Sequence, residues 1–223
     1  MKRTKRLSVL CGELEACTLF ADVGCDHGYC TEYMLKNGLC RRAQISDISA
    51  KSLKKAEDLL ASYIERGDAV AIVCAGLEKI DRSTDLVLIA GMGGEEIVKI
   101  LEEGFLPEKL LLQPMKNADK VRAFLLSKGY GICRDYTFFA EGKFYDVIKA
   151  CKGAPSAYTE DMILFGGDNL ISPRADFLKK LEKEIRLNEL WLQEAKEGRE
   201  NILARLRKLR GIYDETCGRL REN

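Results

Sequence analysis

The chain has 223 residues, 46% of them apolar and 32% charged, and a formal net charge of +1. That length fits one domain of ordinary size plus a smaller appendage, with enough apolar residues for a substantial core. The balanced charge lacks the overall basic footprint of many nucleic-acid-binding domains. No apolar run approaches the ~20 residues of a membrane-spanning helix.

The first stretch, "MKRTKRLSVLCGELEAC", is basic and then apolar. Glu13 and Glu15 interrupt the apolar part, which argues against a secretory signal and for a basic amphipathic helix. "TLFADVG" predicts a first strand and Tyr29–Asn37 a helix. "AQISDI" predicts a second strand. The helix after it is capped by Ser49, carries Leu53, Ala56, Leu60 and Ile64 on one face, and stops at Gly67. "AVAIVC" and "DLVLIAG" predict the third and fourth strands, the latter apolar enough for burial on both faces. "GEEIVKILEEG" predicts a helix, "EKLLLQP" a fifth strand, and "NADKVRAFLLSKG" a helix ended by Gly129. "YGICRDYTFFA" and "KFYDVIKAC", split by Glu141-Gly142, predict an antiparallel hairpin.

Past Gly153 the pattern changes. "GAPSAY" reads as a linker and "LFGGDNLISP" as turn-rich, with Pro173 suited to the first turn of a helix. Leu178, Leu181, Ile185, Asn188, Leu192 and Ala195 repeat at helical spacing, as do Ile202, Leu206, Leu209 and Tyr213 after Gly198. These predict an antiparallel coiled-coil hairpin or one long, bent helix. The expected architecture is therefore α/β: a seven-stranded, Rossmann-like, doubly wound sheet over residues 1–153, with a helical coiled-coil subdomain over 154–223.

Nine cysteines are an odd number with no paired short spacing, and the single histidine supplies no cluster. Buried or incidental thiols in a reducing cytoplasm are expected, with no zinc or iron–sulfur site. Charge is nonetheless local. Lys2, Arg3, Lys5 and Arg6 crowd the N-terminus, and from Arg174 onward thirteen Lys/Arg face ten Asp/Glu.

In open α/β sheets ligands bind beyond the carboxyl ends of the strands. The first strand ends in "ADVGCDHGYC", where Gly24 and Gly28 permit close backbone approach before a helix begins. Asp47 stands at the end of the second strand, placed to accept both hydroxyls of a ribose. A glycine turn followed by an acid indicates a nucleoside-containing cofactor. A dinucleotide turn needs G-x-G-x-x-G to admit a pyrophosphate, whereas this turn presents Asp22 and Asp26. Acids repel a pyrophosphate and favour an ammonium and a sulfonium. Asp26 also suits a helix N-cap. "AGMGG", after the fourth strand, offers backbone groups, space and the apolar Met92, or simply a tight turn.

"FADVGCDHGY", "SDISAKSLKKA", "DLVLIAGMGGEEIVKIL", "LLLQP", "VRAFLLSKGY" and "EGKFYDVIKA" occur in one order across nearly the whole chain. Together they resemble the bacterial tRNA (adenine-N1)-methyltransferase family that modifies adenine at position 22. The resemblance implies S-adenosylmethionine as methyl donor and tRNA as acceptor. It assigns the cofactor motif to Asp22, Gly24, Cys25, Asp26, His27 and Gly28, the ribose acid to Asp47 with Ile48 beside the adenine, and the glycine motif to Gly91, Met92, Gly93 and Gly94. Two departures stand out. Cys74-Ala75-Gly76-Leu77 replaces the common Gly-Asp/Asn-Gly-Leu, leaving Gly76 and Leu77 without the polar partner, and Cys30-Thr31 replaces Leu-Pro.

Adenine N1 already carries an in-plane lone pair, so attack on a sulfonium methyl needs alignment and desolvation rather than a strong base. Asp26, Tyr29 and Met92 are the candidates at the transfer centre. Tyr29 is placed to stack on a flipped adenine or to pack into the core. His27 suits structure or substrate positioning better than general-base catalysis. Phe144 and Tyr145 fit core positions, and Gln113-Pro114 fits the rim of the acceptor pocket. The basic N-terminus and the C-terminal helices are the available arms for tRNA phosphates. Other readings are a different methyl acceptor (rRNA, a small molecule or protein) and a non-catalytic nucleoside-binding protein that recruits a partner.

Overall fold

The computed structural model describes residues 4–153 and 157–222. Lys2 and Arg3 of the basic N-terminus and part of the expected linker lie outside them. The elements are α1 (Lys5–Glu13), β1 (Cys17–Val23), α2 (Tyr29–Lys36), β2 (Cys40–Asp47), α3 (Ala50–Glu65), β3 (Ala69–Val73), β4 (Leu86–Met92), α4 (Gly94–Glu103), β5 (Lys109–Pro114), α5 (Ala118–Ser127), β6 (Tyr130–Ala140), β7 (Lys143–Lys152), α6 (Glu160–Phe165), α7 (Gly167–Ile171), α8 (Ala175–Glu194) and α9 (Arg199–Glu222).

The seven strands form one sheet in the order β3-β2-β1-β4-β5-β7-β6. The first five are parallel, and β7 inserts antiparallel between β5 and β6. Alternate strand residues feed opposite faces. Val87 and Ile89 pack under α4 and α5 with Leu110, Leu112, Ile97 and Val121. Leu86 and Leu88 pack under α1 and α2 with Phe20, Leu111, Leu10 and Met34. Leu53, Ala56 and Leu60 of α3 close over Ile45 on β2, and Ser49 caps α3 as its sequence predicts.

Two expectations fail after Gly153. The turn-rich stretch contains two short helices, α6 capped by the Thr159 side chain and α7 held to α6 by Asn169, whose amide donates to the Phe165 carbonyl at 2.7 Å. Pro173 precedes the N-cap residue Arg174 and so stands outside the first turn of α8. These helices cover the sheet edge. Alternate backbone N–H groups of β6 donate to side chains: Asp135 to Asp168, Thr137 to Asn169, and Phe139 to Asp176. An edge strand so occupied cannot template another chain.

The last segment is two helices, not one bent helix. Ala195 caps α8 in an extended conformation, and Gly198 turns the chain with φ of 68°. Phe177, Leu181, Leu209 and Ile212 form the shared core with Phe165. Phe177 and Ile212 escape the predicted stripe, which runs through their neighbours Leu178 and Tyr213. Among the described residues no helix is long and apolar enough to cross a membrane.

Candidate active site

β1 and β4 are adjacent parallel strands at the switch in strand order, and their carboxyl ends open a cleft, as the general rule for such sheets requires. Two cavities of about 320 Å3 and 490 Å3 lie there. Both are bounded by Gly24, Asp47 and Met92, so they form two halves of one groove. Gly24 has φ of 70°, a conformation that favours glycine, and a Cβ on it would fall 2.1 Å from Met92 Cε, so a larger residue would displace the tip of Met92 where it crosses the groove.

The smaller half carries Ile48, Gly76 and Leu77. Ile48 is 77% exposed, which leaves an apolar surface open at the mouth, whereas Leu77 is buried in the core. Asp47 accepts the Ser49 N–H at 2.8 Å through one carboxylate oxygen. The far wall is α4, through Glu96, Ile100 and Glu103. Gly76 has φ of 51° and lies against Ile100, so its missing side chain lets α4 approach.

The larger half carries Asp22, Cys25, Asp26, His27, Tyr29 and Gly91. Asp22 is buried and accepts the Thr31 hydroxyl at 3.0 Å. Burial pushes its carboxyl up to about 6, against the opposing hydrogen bonds of Thr31. Burial, with Asp22 and Asp47 nearby, raises the Cys25 thiol so far that it is no nucleophile. Asp26 has φ of 48°, is exposed, and pairs with Lys55 at 3.0 Å. It is not the N-cap of α2; that position belongs to Gly28. His27 stacks on Tyr29 with ring centroids 5.4 Å apart. Tyr29 therefore borders the groove rather than joining the core clusters.

Three motif residues face elsewhere, Gly94 among them: it borders neither half, and a Cβ there would lie 2.1 Å from the Asn117 carbonyl oxygen. Gly28 borders neither half; a Cβ there would lie 3.0 Å from Ala56, so its glycine serves helix packing. Gly93 likewise borders neither and faces Lys116. Phe144 packs on Phe139, and Tyr145 is buried against Phe138. Gln113 is buried and reaches the site only through Arg6, whose Nε donates to its Oε1 at 2.7 Å. The sequence pattern missed α1 and α4 as walls. Thr4, Arg6, Leu7 and Leu10 border the larger half, and nothing local to α1 says so. The i, i+4, i+7 spacing of Glu96, Ile100 and Glu103 did carry a signal, since it sets them on one helix face.

A sheet in this strand order, with a glycine turn after β1, an acid ending β2 and a groove across both, defines a Rossmann-like, nucleoside-binding methyltransferase domain. A family model described as a methyltransferase domain matches residues 3–148. The Bacillus subtilis (strain 168) tRNA (adenine(22)-N(1))-methyltransferase is 30% identical over 203 residues, spanning 83% of this chain and 82% of that protein. The fold matches M. capricolum TrmK in complex with S-adenosyl-homocysteine at a TM-score of 0.89, with 23% identity over 97% of this chain and 100% of the other. It also matches a Streptococcus pneumoniae protein in complex with S-adenosyl-L-methionine at 0.86, with 23% identity over 95% and 100%. The chain belongs to the tRNA (adenine(22)-N(1))-methyltransferase family.

Proposed function

We propose that this protein transfers a methyl group from S-adenosylmethionine to N1 of adenine 22 in tRNA. The observation that carries the reading is the divided groove: an apolar half beside Asp47 and an acidic half beside Asp22, meeting at Met92. Asp47, with one oxygen committed to Ser49, keeps the other for a ribose hydroxyl. Ile48, Gly76 and Leu77 offer an apolar slot for the donor's adenine. Asp22, buried without a cationic side chain, suits the donor's ammonium. The donor supplies an electrophilic sulfonium methyl. The Tyr29–His27 stack gives a flipped acceptor base a flat surface, and Gly24, Cys25, Gly91 and Met92 shape the passage between the halves. Gly28 and Gly93 support the site through packing, and Asp26 borders it while holding Lys55.

The donor and the tRNA acceptor support a cytoplasmic location, in keeping with the protein's thiols. We assign residues 1–153 to the methyltransferase domain and 154–223 to a helical subdomain docked on β6. The cations of α1 and of α8–α9 are the proposed tRNA contacts. Lys5, Arg205 and Arg210 already have partners in Phe139, Glu184 and Glu189, so those contacts require exchange of existing bonds.

The test is transfer of labelled methyl from S-adenosylmethionine to unmodified tRNA, with nucleoside analysis. Label in 1-methyladenosine at position 22 is the expected result, and a transcript carrying guanine in place of that adenine is expected to take up none. Label in another acceptor would replace the tRNA assignment, and donor binding without transfer would remove the catalytic one.

A further inference from the structure

The acidic half of the groove is bordered by Asp22, Asp26 and Asp47, and its single permanently charged cation among the described residues is Arg6. Four features set the position of that side chain. Its Nε donates to Gln113 Oε1 at 2.7 Å, and Gln113 is fully buried with its own amide donating to the Pro114 carbonyl at 3.2 Å. Its Cζ lies over the Tyr145 ring, 5.6 Å from the centroid, within cation–π range. Gly91 makes room for it, since a Cβ there would lie 2.9 Å from Nη2.

The fourth feature fixes the backbone. The N–H groups of Lys5 and Arg6, which open α1, donate to the two carboxylate oxygens of Glu141 at 2.8 and 3.4 Å. Glu141 and Gly142 form the β6–β7 turn with φ of 44° and 77°. Two successive positive φ values favour Asn-Gly or Gly-Gly, so a glutamate here is a costly choice for the turn alone. Its carboxylate on α1 accounts for the choice. Nη1 and Nη2 make no hydrogen bond among the described residues, which leaves a forked pair of donors beside the groove.

We propose that Arg6 is an oxyanion-binding residue of the site, held in position by Glu141, Gln113 and Tyr145. Its fork matches the paired oxygens of a phosphodiester on the acceptor nucleotide or of the carboxylate on the donor's amino-acid end. The inference rests on the methyltransferase reading above. It gives "EGKFY" and "LLLQP" a task the cofactor site does not: both motifs aim one side chain contributed by α1. Arg6 borders the same half of the groove as Asp22, the proposed ammonium partner, so both oxyanions come within its reach and the experiment separates them.

The experiment uses the full chain with Arg6→Ala, Arg6→Lys, Glu141→Ala and the Arg6→Ala/Glu141→Ala double variant. S-adenosylhomocysteine affinity is read by calorimetry, kcat and KM on a tRNA transcript by methyl transfer, and folding by thermal unfolding. For Arg6→Ala, a fork on the acceptor phosphodiester gives a tRNA KM raised at least about tenfold with unchanged S-adenosylhomocysteine affinity. The salt dependence of tRNA binding should become shallower by about one phosphate contact. Lysine restores part of the loss, keeping the charge without the fork. Glu141→Ala raises KM in the same direction, and the double variant is no worse than Arg6→Ala, the non-additivity of residues acting through one contact. Weakened S-adenosylhomocysteine binding instead assigns the fork to the donor carboxylate. Arg6→Ala and Arg6→Lys with both constants at wild-type values overturn the proposal while leaving the methyltransferase reading intact. Wild-type protein that neither binds S-adenosylhomocysteine nor methylates tRNA removes both.

Discussion

Asp22 is a buried carboxylate whose hydrogen-bond partner is a neutral hydroxyl. Burial raises it from 3.8 to about 6. Between those values the folded chain holds a proton that the unfolded chain has lost, so Asp22 costs stability progressively as pH rises through that window. A bound ammonium acts in the opposite direction by favouring the carboxylate. Donor or S-adenosylhomocysteine binding is therefore expected to release protons near pH 6, by about half a proton, and affinity should rise from pH 5 to 7. Calorimetry in two buffers of different ionisation enthalpy measures the release, and Asp22→Asn should abolish it. Equal heats in both buffers for the wild-type protein would remove Asp22 from the ammonium site. Asp47→Ala is expected to weaken S-adenosylhomocysteine binding by about 10- to 100-fold, the usual loss for hydrogen bonds to a charged group. Unchanged affinity would reject the ribose role.

At the scale of elements, one buried ion pair stands at the centre of the join between α5, β6 and the C-terminal helices. Arg122 of α5 donates from Nε to both Asp135 oxygens at 2.9 Å, and from Nη1 to the Ile163 carbonyl at 3.1 Å. Asp135 also accepts the Tyr158 hydroxyl and the Gly167 N–H. Tyr158 is thus anchored, although its sequence surroundings read as a linker. Removing Arg122 leaves a buried carboxylate without its cation. Arg122→Met is expected to lower stability by about 3 to 5 kcal/mol in denaturant unfolding. Arg122→Met/Asp135→Leu should recover much of that, because the uncompensated charge goes too. A loss below about 1 kcal/mol for the single variant would show that the pair is not structurally important.

For the whole molecule, the helical subdomain is joined to the sheet's edge by hydrogen bonds to β6 and by the contacts around the buried ion pair. Independent melting would require β6 to lose the side chains that occupy its N–H groups. One cooperative calorimetric transition is therefore expected, with equal van't Hoff and calorimetric enthalpies. Two separated transitions would mean that residues 154–223 fold as a unit of their own. The basic N-terminus illustrates the same coupling. As sequence it is a charged tail; in the fold Lys5 and Arg6 are tied to β6, β5 and the hairpin turn, and one of them borders the groove.

What the sequence determined by itself was whatever local chemistry controls. Alternation of apolar runs with amphipathic helices specified the seven strands and the antiparallel closing hairpin, because side-chain period and turn residues act over a few positions. Gly24, Asp22 and Asp47 were legible because strand ends carry ligands in this kind of sheet. Tertiary structure alone decided which residues meet across the chain. The packing of Gly28 against Ala56 of α3 was not legible in its motif, and Asp26 looked like a cap but pairs with Lys55. The walls made by α1 and α4, the burial that lifts Asp22, and the approach of Arg6, Gln113, Glu141 and Tyr145 depend on separations of up to 139 residues, that between Arg6 and Tyr145. Contacts over that distance follow from strand order and packing, which no short window of sequence encodes.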